Sequence, residues 1–458
     1  MLCDPLSDEA VRYVWRQLLT RAGADPDALP VAVSYGEPII PTDCPTIVVS
    51  PCAPSAWGAL LAREPNSLHW IRAPNAVPLG ANLPFDDPVP VLFWAEEAEG
   101  GHKTFAELRA DGTVVFHVDI IGATLFMLSR WEETAGSVRD KYERFPATAS
   151  VAYRQGFLDR PVVDEYALIL REWLKVVLPG WQPKARRFSV KLSHDIDRVR
   201  RFRKSHMAIP AFGVDLLKRR SPSRAWQTII EAIAQTTAPD RTSYFQGIGS
   251  LAESSHKYGR GDDAFYFMAA QPGPLEGDYD PASPLMRRCI ADLRRQGFEI
   301  GLHAGYHTFN DPERLAAEKA RLDAVLGGTH YGGRQHNLRF EVPNTWRYWE
   351  QAGLSYDSTM TYADHEGFRC GTCHPFCPFD LQQNRELNLW EYPLIVMDGT
   401  LRDYRMLTPE QGQARIIELA QRCMQVEGTF TLLWHNTSFD WEWRPWAEVY
   451  EHVLRQLG

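Results

Sequence analysis

The chain is predicted to be an α/β protein, with a mixed α/β domain over residues 1–180 and a second domain over residues 181–458. Three observations support this prediction. The length of 458 residues suits two or three domains that each bury a core. Turn-forming residues cluster between Leu178 and Lys184, directly after a helical pattern. Beyond that point, short apolar runs alternate regularly with longer helical segments, as repeated β and α units do.

The N-terminal domain is predicted from short apolar runs that alternate with helical segments. Strands are expected at three runs rich in β-branched and aromatic residues: Pro45–Val49, Val89–Trp94 and Thr113–Val118. Helices are expected at three longer segments: Ala10–Arg21, Gly122–Trp131 and Tyr166–Val177. No group of residues in this domain indicates a chemical role, so its function is left open.

The second domain contains about seven runs of strand length. In chain order they are Phe188–Ser193, Ala264–Ala269, Phe298–Leu302, His330–Gln335, Leu354–Ser358, Leu389–Val396 and Thr429–Trp434. Four helix candidates between them begin with proline, which fits the first turn of a helix because that position needs no N–H donor. They are Pro284–Gln296, Pro312–Leu326, Pro343–Ala352 and Pro409–Val426. A parallel barrel and a doubly wound sheet both satisfy this alternation, and a barrel would gather its chemistry at the carboxyl ends of its strands.

Composition narrows the choice of partners. The chain carries 49 Lys and Arg against 58 Asp and Glu, a net charge of −9, so neither nucleic acid nor an anionic membrane surface is the expected partner. We find no basic and apolar leader and no apolar run of about 20 residues, which predicts a cytoplasmic protein without a membrane-spanning segment. Phosphate-binding glycine motifs and the G-x-S-x-G motif of serine hydrolases are absent.

Side chains that bind metals or transfer protons follow four of the predicted strands. The first strand runs into Asp195 and Asp197, which project to the same side because strand side chains alternate. The third strand runs into His303 and His307, which converge on one ion if a helical turn follows. The fourth and last strands end at Arg334 and His435. Imidazole and carboxylate together favour Zn, Fe, Ni or Co over Mg or Ca.

The order of these motifs resembles that of the polysaccharide deacetylase family, carbohydrate esterase family 4, also called NodB-like. The family has an Asp motif, H-[ST]-x-x-H, an Arg motif, a second Asp motif and Leu-x-His. The positions that match are Asp195-Ile196-Asp197, His303–His307, Arg334, Tyr356-Asp357-Ser358 and Leu433-Trp434-His435. The resemblance spans roughly residues 188–440 and implies an irregular (β/α)7 barrel. The upstream segments 116–131, 144–146 and 156–161 are similar to an uncharacterised domain of a subgroup often found with bacterial surface-polysaccharide biosynthesis.

The resemblance implies a metal-dependent hydrolase that removes an acyl group, with acetyl expected first, from the nitrogen of an amino sugar. Asp197, His303 and His307 would hold a divalent metal, with zinc expected first and Ni, Co, Fe or Mn as alternatives. The substrate would be a surface polysaccharide or its precursor.

The resemblance also implies the roles of four catalytic residues. Asp195 would be the general base that takes the proton of the attacking water. His435 would be the acid that protonates the leaving amine. Arg334 would hold Asp195 ionised through an ion pair, and Asp357 would tune His435.

Substrate contacts are expected from four residues near the predicted rim. Arg369 is a candidate to bind a carboxylate or phosphate, and Tyr306, Trp441 and Trp443 are candidate platforms for a sugar ring. Beside Arg369, the segment Cys370–His374 has the spacing of a haem attachment site. We interpret it as a loop, because a metal site there lacks a well-placed fourth ligand.

The sequence departs from the family in three ways. Ile196 separates the two carboxylates of the first motif, and Ala304 stands where Ser or Thr is usual. The segment Arg198–Gly261 is long and is expected to add helices over one side of the rim. Two alternatives therefore stay open: a related hydrolase of a small amide or cyclic imide, and a catalytically silent glycan-binding protein. The oligomeric state is also left open.

Overall fold

The structure is a computed structural model that describes residues 6–36, 44–96, 104–258 and 263–457. Its strands are β1 (Ala32–Tyr35), β2 (Thr46–Val49), β3 (His69–Ile71), β4 (Val89–Val91), β5 (Ala106–Leu108), β6 (Val114–Phe116), β7 (Ser189–Ile196), β8 (Ala264–Met268), β9 (Glu299–Ala304), β10 (Gly333–Gln335), β11 (Tyr356–Asp357), β12 (Phe379–Asp380), β13 (Arg385–Glu386), β14 (Trp390–Glu391), β15 (Val396–Met397) and β16 (Thr429–Leu433). Its α-helices are α1 (Asp8–Ala22), α2 (Ala56–Ala62), α3 (Ile120–Leu128), α4 (Trp131–Ala135), α5 (Val151–Arg154), α6 (Val162–Val177), α7 (Ala208–Gly213), α8 (Pro222–Thr237), α9 (Ser243–Lys257), α10 (Pro284–Arg295), α11 (Pro312–Leu326), α12 (Asn344–Gln351), α13 (Pro409–Gln425) and α14 (Arg444–Leu457). None of these helices is both long enough and apolar enough to cross a membrane.

The N-terminal part contains a four-stranded sheet in the order β1-β2-β6-β5, in which only β5 runs antiparallel to its neighbour. Helix α3 is buried along its whole length and packs against α1 and α6. The first N–H groups of a helix lack partners within it, and at α3 the carboxylate of Asp119 supplies one by accepting a 2.7 Å hydrogen bond from Gly122 N. The apolar core is continuous from this part into the rest of the chain.

An eight-stranded sheet follows, in the order β14-β11-β10-β9-β8-β7-β16-β15. All neighbouring strands in it are parallel, which confirms the predicted α/β class. Parallel neighbours need long crossover connections, and α10 to α13 lie in these connections. The carboxyl ends of the strands therefore meet at one edge of the sheet.

The sheet curves far enough for side chains of distant strands to touch. Tyr266 on β8 and Tyr356 on β11 bring their hydroxyl oxygens to 2.9 Å, although β9 and β10 separate their strands. Arg334 on β10 donates from Nη2 to Ser193 Oγ on β7 at 2.8 Å. The space inside the curve is therefore filled by polar and aromatic side chains, as in a barrel-like fold.

The predicted strand Leu389–Val396 is in fact two strands at opposite edges of the sheet. Tyr392 N donates to Asp357 O on β11, whereas Ile395 N donates to Thr431 O on β16. Pro393 lies between them and has no N–H for a ladder. One run of chain therefore connects the two edge strands, and the sheet has eight strands instead of the predicted seven.

Helices α7, α8 and α9 lie between β7 and β8, within the segment that was expected to add helices near the rim. Residues 259–262 at the end of that segment lie outside the described residues. Helix α9 approaches the turn after β16 so closely that a Cβ on Gly247 would lie 2.1 Å from Asn436 O. Asn436 Nδ2 donates to Arg198 O at 2.8 Å and to Tyr244 O at 2.7 Å. The inserted helices are thus fastened to the turn that follows β16.

Candidate active site

Three side chains at the carboxyl edge of the sheet form a candidate metal site. The ligand atoms of Asp197, His303 and His336 all lie within 4.8 Å of one another. Asp197 directly follows β7, His303 lies near the end of β9, and His336 directly follows β10. His303 Nε2 is 3.0 Å from Asp197 Oδ1, and the rings of His303 and His336 have centroids 5.1 Å apart.

The donor atoms of this group fit a divalent cation. His303 Nδ1 lies 3.0 Å from Arg334 O, and a hydrogen bond donated there leaves the Nε2 lone pair facing Asp197. Within the described part of the chain, the buried atoms Asp197 Oδ1 and His336 Nδ1 make no hydrogen bond of acceptable geometry. Burial lowers the pKa of His336 to about 4, which keeps the imidazole in the neutral form that binds metals. Two imidazoles and one carboxylate form an open site suited to Zn, Co, Ni or Fe.

The charges around the site keep its carboxylate ionised. Burial opposes ionisation of Asp197, but His303 and then His435 hold the pKa of Asp197 well below its ordinary value. Burial also opposes protonation of His303, yet Asp195 and Asp197 raise its pKa. This negative charge beside two imidazoles favours a bound cation.

The structure does not bring the predicted ligand His307 into this group. His307 is exposed, because the chain after β9 forms a tight turn rather than the helical turn that the spacing requires. Glu318 holds that turn by accepting a 2.8 Å hydrogen bond from Gly305 N. His336 takes the place expected for His307, and the sequence analysis had assigned it no role.

Asp195 and Arg334 form the predicted ion pair at the base of the site. Asp195 Oδ1 accepts from Arg334 Nη1 at 2.8 Å, and both side chains are buried. Arg334 also donates from Nε to Ser358 O at 2.7 Å and from Nη2 to Ser193 Oγ at 2.8 Å. Asp195 Oδ2 lies 3.7 Å from His303 Nδ1. The guanidinium is therefore fixed on three sides and orients the Asp195 carboxylate.

His435 lies on the other side of the site and has a carboxylate partner. Its Nε2 is 3.7 Å from Asp197 Oδ2, and its Nδ1 is 2.6 Å from Asp398 Oδ1. Asp398 Oδ2 accepts from His435 N at 2.9 Å and from Ser438 Oγ at 2.5 Å. Burial opposes protonation, but the carboxylates, with Asp398 first among them, raise the pKa of His435 to about 10. His435 is therefore an imidazolium at neutral pH.

The expected partner of His435, Asp357, is committed elsewhere. Asp357 is buried on β11 and accepts hydrogen bonds from Thr359, at 3.0 Å from its N and 2.5 Å from its Oγ1. Asp398, the first residue after β15, contacts His435 instead. The predicted strand Leu389–Val396 ends two residues before Asp398, so the rule that placed acidic residues at strand ends could have found it.

Arg369 is not available to a substrate. Its side chain is 2% exposed and donates to both carboxylate oxygens of Glu133, at 2.9 and 2.6 Å. Its Nη1 donates to Thr361 O at 2.7 Å, so every guanidinium nitrogen is bonded inside the protein. Burying this cation is tolerated because it is paired. The structure therefore corrects the expectation of substrate binding and makes Arg369 part of a buried ion pair.

The three aromatic candidates are all covered by arginine. Guanidinium carbons lie over Tyr306 (Arg339, 4.0 Å), Trp441 (Arg201, 4.4 Å, and Arg224, 4.3 Å) and Trp443 (Arg402, 3.9 Å). Tyr306 lies next to the candidate metal site, since its ring centroid is 6.4 Å from that of His336. A sugar ring on any of the three has to share the aromatic face with a cation, and these contacts stay predictions.

A second group with metal-ligand chemistry, Asp164, Cys373 and His374, does not fit a cation. Asp164 is paired with Arg21 at 3.0 Å. His374 has both ring nitrogens in contact, Nδ1 with Arg186 and Nε2 with Val426 O, each at 3.0 Å. The two neighbouring guanidinium groups repel a metal ion. This agrees with the prediction that the Cys370–His374 segment is a loop and not a metal site.

Similarity to known proteins extends over parts of the chain. Residues 75–179 match a family of unknown function, DUF7033. No curated protein sequence matches the chain. One similar solved structure is a Mycobacterium smegmatis protein provisionally described as a polysaccharide deacetylase, with 14% identity, a TM-score of 0.38, and coverage of 61% of this chain and 86% of that one. The activity therefore has to be inferred from the residues of the site.

Proposed function

We propose that the protein is a metal-dependent hydrolase that removes an N-acyl group, with acetyl expected first, from an amino sugar. The substrate would belong to a bacterial surface polysaccharide or its precursor, and the protein would act in the cytoplasm. Residues 181–458 would form an irregular β/α barrel of the polysaccharide deacetylase type, with eight strands in place of the predicted seven, preceded by a mixed α/β domain over residues 1–180. The supporting observation is that Asp195 and His435 flank the group of Asp197, His303 and His336.

The three grouped side chains would hold the metal, with zinc expected first and Ni, Co, Fe or Mn as alternatives. When bound, a divalent metal supplies a Lewis acid that polarises the substrate carbonyl and lowers the pKa of the attacking water. The contact between His303 Nδ1 and Arg334 O fixes the direction of the other ring nitrogen, Nε2, which lies 3.0 Å from Asp197 Oδ1. His336 is half-buried and its imidazole is neutral, so metal binding requires no loss of a proton from it.

Two proton transfers would complete the hydrolysis. The carboxylate of Asp195, oriented by Arg334, would accept the proton that water loses as its oxygen bonds to the acyl carbon. His435, kept protonated by Asp398, would donate its Nε2 proton to the amine nitrogen as the C–N bond breaks. The products are a carboxylic acid and a free amino sugar, which balances the addition of one water.

The test combines metal analysis with product analysis. Purified wild-type protein is expected to hold about one equivalent of divalent metal and to release acetate from N-acetylated oligosaccharides, with activity lost to a chelator. His336→Ala and Asp197→Ala are expected to lose most of the metal, whereas the matched variant His307→Ala keeps it. If His307→Ala loses the metal while His336→Ala keeps it, the ligand assignment is wrong.

The substrates that turn over distinguish the remaining alternatives. Faster turnover of small cyclic imides than of acetylated sugars would indicate the related C–N hydrolase. Metal and glycan binding without release of any acid would indicate the silent glycan-binding protein. Either result would contradict the proposed deacetylase.

A further inference from the structure

The inserted helices expose an unusual amount of apolar surface. Of the eighteen large hydrophobic residues that are exposed within the described ranges, eight lie between positions 207 and 233. They are Met207, Ile209, Val214, Leu216, Leu217, Trp226, Ile230 and Ile233. Leu217 is 77% exposed and Trp226 is 63% exposed. Exposed apolar clusters of this kind mark interaction surfaces, whereas single exposed residues do not.

The arrangement on α8 shows that this exposure is directional. Trp226, Ile230 and Ile233 are spaced four and three residues apart, which places them on one face of the helix. Thr228 lies on the buried side, where its Oγ1 donates to Asp215 Oδ2 at 2.7 Å. That bond ties α8 to the helical segment that carries Leu216 and Leu217. The helix thus turns polar groups inward and an apolar row outward.

The same segment is strongly basic in an acidic protein. Residues 204–233 contain five Lys and Arg, and their two acidic residues, Asp215 and Glu231, are buried, although the whole chain has a net charge of −9. Lys204, Lys218 and Arg220 are exposed and form no ion pair with any residue that the structure describes. Positively charged side chains without an acidic partner among the described residues therefore lie close to the exposed apolar residues.

We propose that this surface, formed by residues 204–233, docks on an anionic lipid bilayer. Apolar side chains that include Trp, bordered by Lys and Arg, are what an interfacial helix presents to a membrane with acidic headgroups. A second copy of the same face would bring like charges together, which disfavours self-association. The proposal goes beyond the hydrolase function and differs from the expectation drawn from net charge, because the charge is unevenly distributed along the chain.

Docking would bring the bilayer next to the candidate active site. Arg219 pairs with Glu442 at 2.7 Å, and Arg224 lies 4.3 Å over Trp441. Both partners lie in the loop that follows His435. The membrane surface and the carboxyl edge of the sheet are therefore joined by direct contacts.

The test is co-sedimentation of the full chain with vesicles of phosphatidylcholine alone or mixed with phosphatidylglycerol. Wild-type protein is expected to bind the mixed vesicles at least about tenfold more tightly, with the preference shrinking as salt is raised. Leu217→Ser and Trp226→Ser are each expected to weaken binding about tenfold. The matched control Leu79→Ser, at a site 107% exposed outside this surface, is expected to leave binding unchanged.

Three results would overturn the proposal. They are equal binding to both kinds of vesicle, equal losses in Leu217→Ser and Leu79→Ser, and no vesicle binding together with a concentration-dependent dimer that Leu217→Ser abolishes. The last result would assign the surface to a second copy of the chain. Circular dichroism of each variant checks that the fold is intact, which is expected because the substituted side chains are exposed.

Discussion

Replacing Asp398 by Asn is expected to move the titration of His435 and to slow the enzyme at alkaline pH. The pKa of His435 is raised from 6.5 to about 10 although burial opposes this, and Asp398 leads the groups that cause the rise. At 1.36 kcal/mol per pKa unit, the imidazolium is favoured by about 5 kcal/mol in total. Asp195 and Asp197 supply part of this energy, so we expect Asp398→Asn to lower the pKa by about two units.

The assay has a direct and a catalytic readout. Histidine NMR of metal-free protein follows the His435 ring from pH 5 to 11 in wild type and in Asp398→Asn. At pH 9 the wild-type ring stays mostly protonated, whereas the variant ring is mostly neutral. Since only about a tenth of the variant rings keep the catalytic proton at pH 9, kcat/KM for acetate release is expected to fall about tenfold in the variant at that pH.

Ser438→Ala provides the matched control. It removes the hydroxyl that donates to Asp398 Oδ2 at 2.5 Å but leaves the carboxylate charge in place. The decline of kcat/KM at alkaline pH is expected to occur at the same pH in this variant as in wild type. An Asp398→Asn variant whose His435 pKa and alkaline limb both match wild type would refute the reasoning.

Two further predictions concern stability. Arg369→Met leaves the buried Glu133 with only part of its counter-charge. The free energy of unfolding, measured in urea, is therefore expected to fall by about 3–5 kcal/mol, with metal content unchanged. A raised KM at unchanged stability would instead indicate that Arg369 binds substrate. Because the folded-state pKa of His435 lies above its unfolded value of 6.5, its stabilising contribution is complete below pH 6.5 and is lost as pH rises towards 10. The stability advantage of metal-free wild type over His435→Gln should shrink over that range, and an advantage independent of pH would contradict the shift.

Sequence reasoning predicted the elements well because their signals are local. Proline at the first turn marked helices such as Pro312–Leu326, whose observed bounds are the same. The period of two along a strand predicted that Asp195 and Asp197 project to the same side, and in the structure both lie beside His303. The prediction of a single strand over Leu389–Val396 is wrong. The apolar pattern of this run does not reveal that its two ends pair with opposite edges of the sheet.

The errors at the site arise from contacts distant in sequence. His336 replaces His307 because the curvature of the sheet, rather than the spacing along one segment, decides which imidazoles meet. The prediction that Arg369 binds substrate is wrong because its partner is Glu133, which lies 236 positions earlier in the chain. A charged side chain in a loop usually faces solvent, and only the tertiary structure reveals its buried counter-charge.

Two ion pairs between the two halves of the chain, one buried and one half-buried, also limit how such a protein can evolve. Glu133 neutralises Arg369, and Arg171 binds Glu427 through two contacts of 3.0 Å. A recombination event that joined residues 181–458 to a different N-terminal domain would leave at least one buried charge unpaired. The new domain would have to supply the missing counter-charge in the same step. The two halves are therefore expected to be inherited together, with compensating substitutions at these four positions, rather than to be shuffled as independent modules.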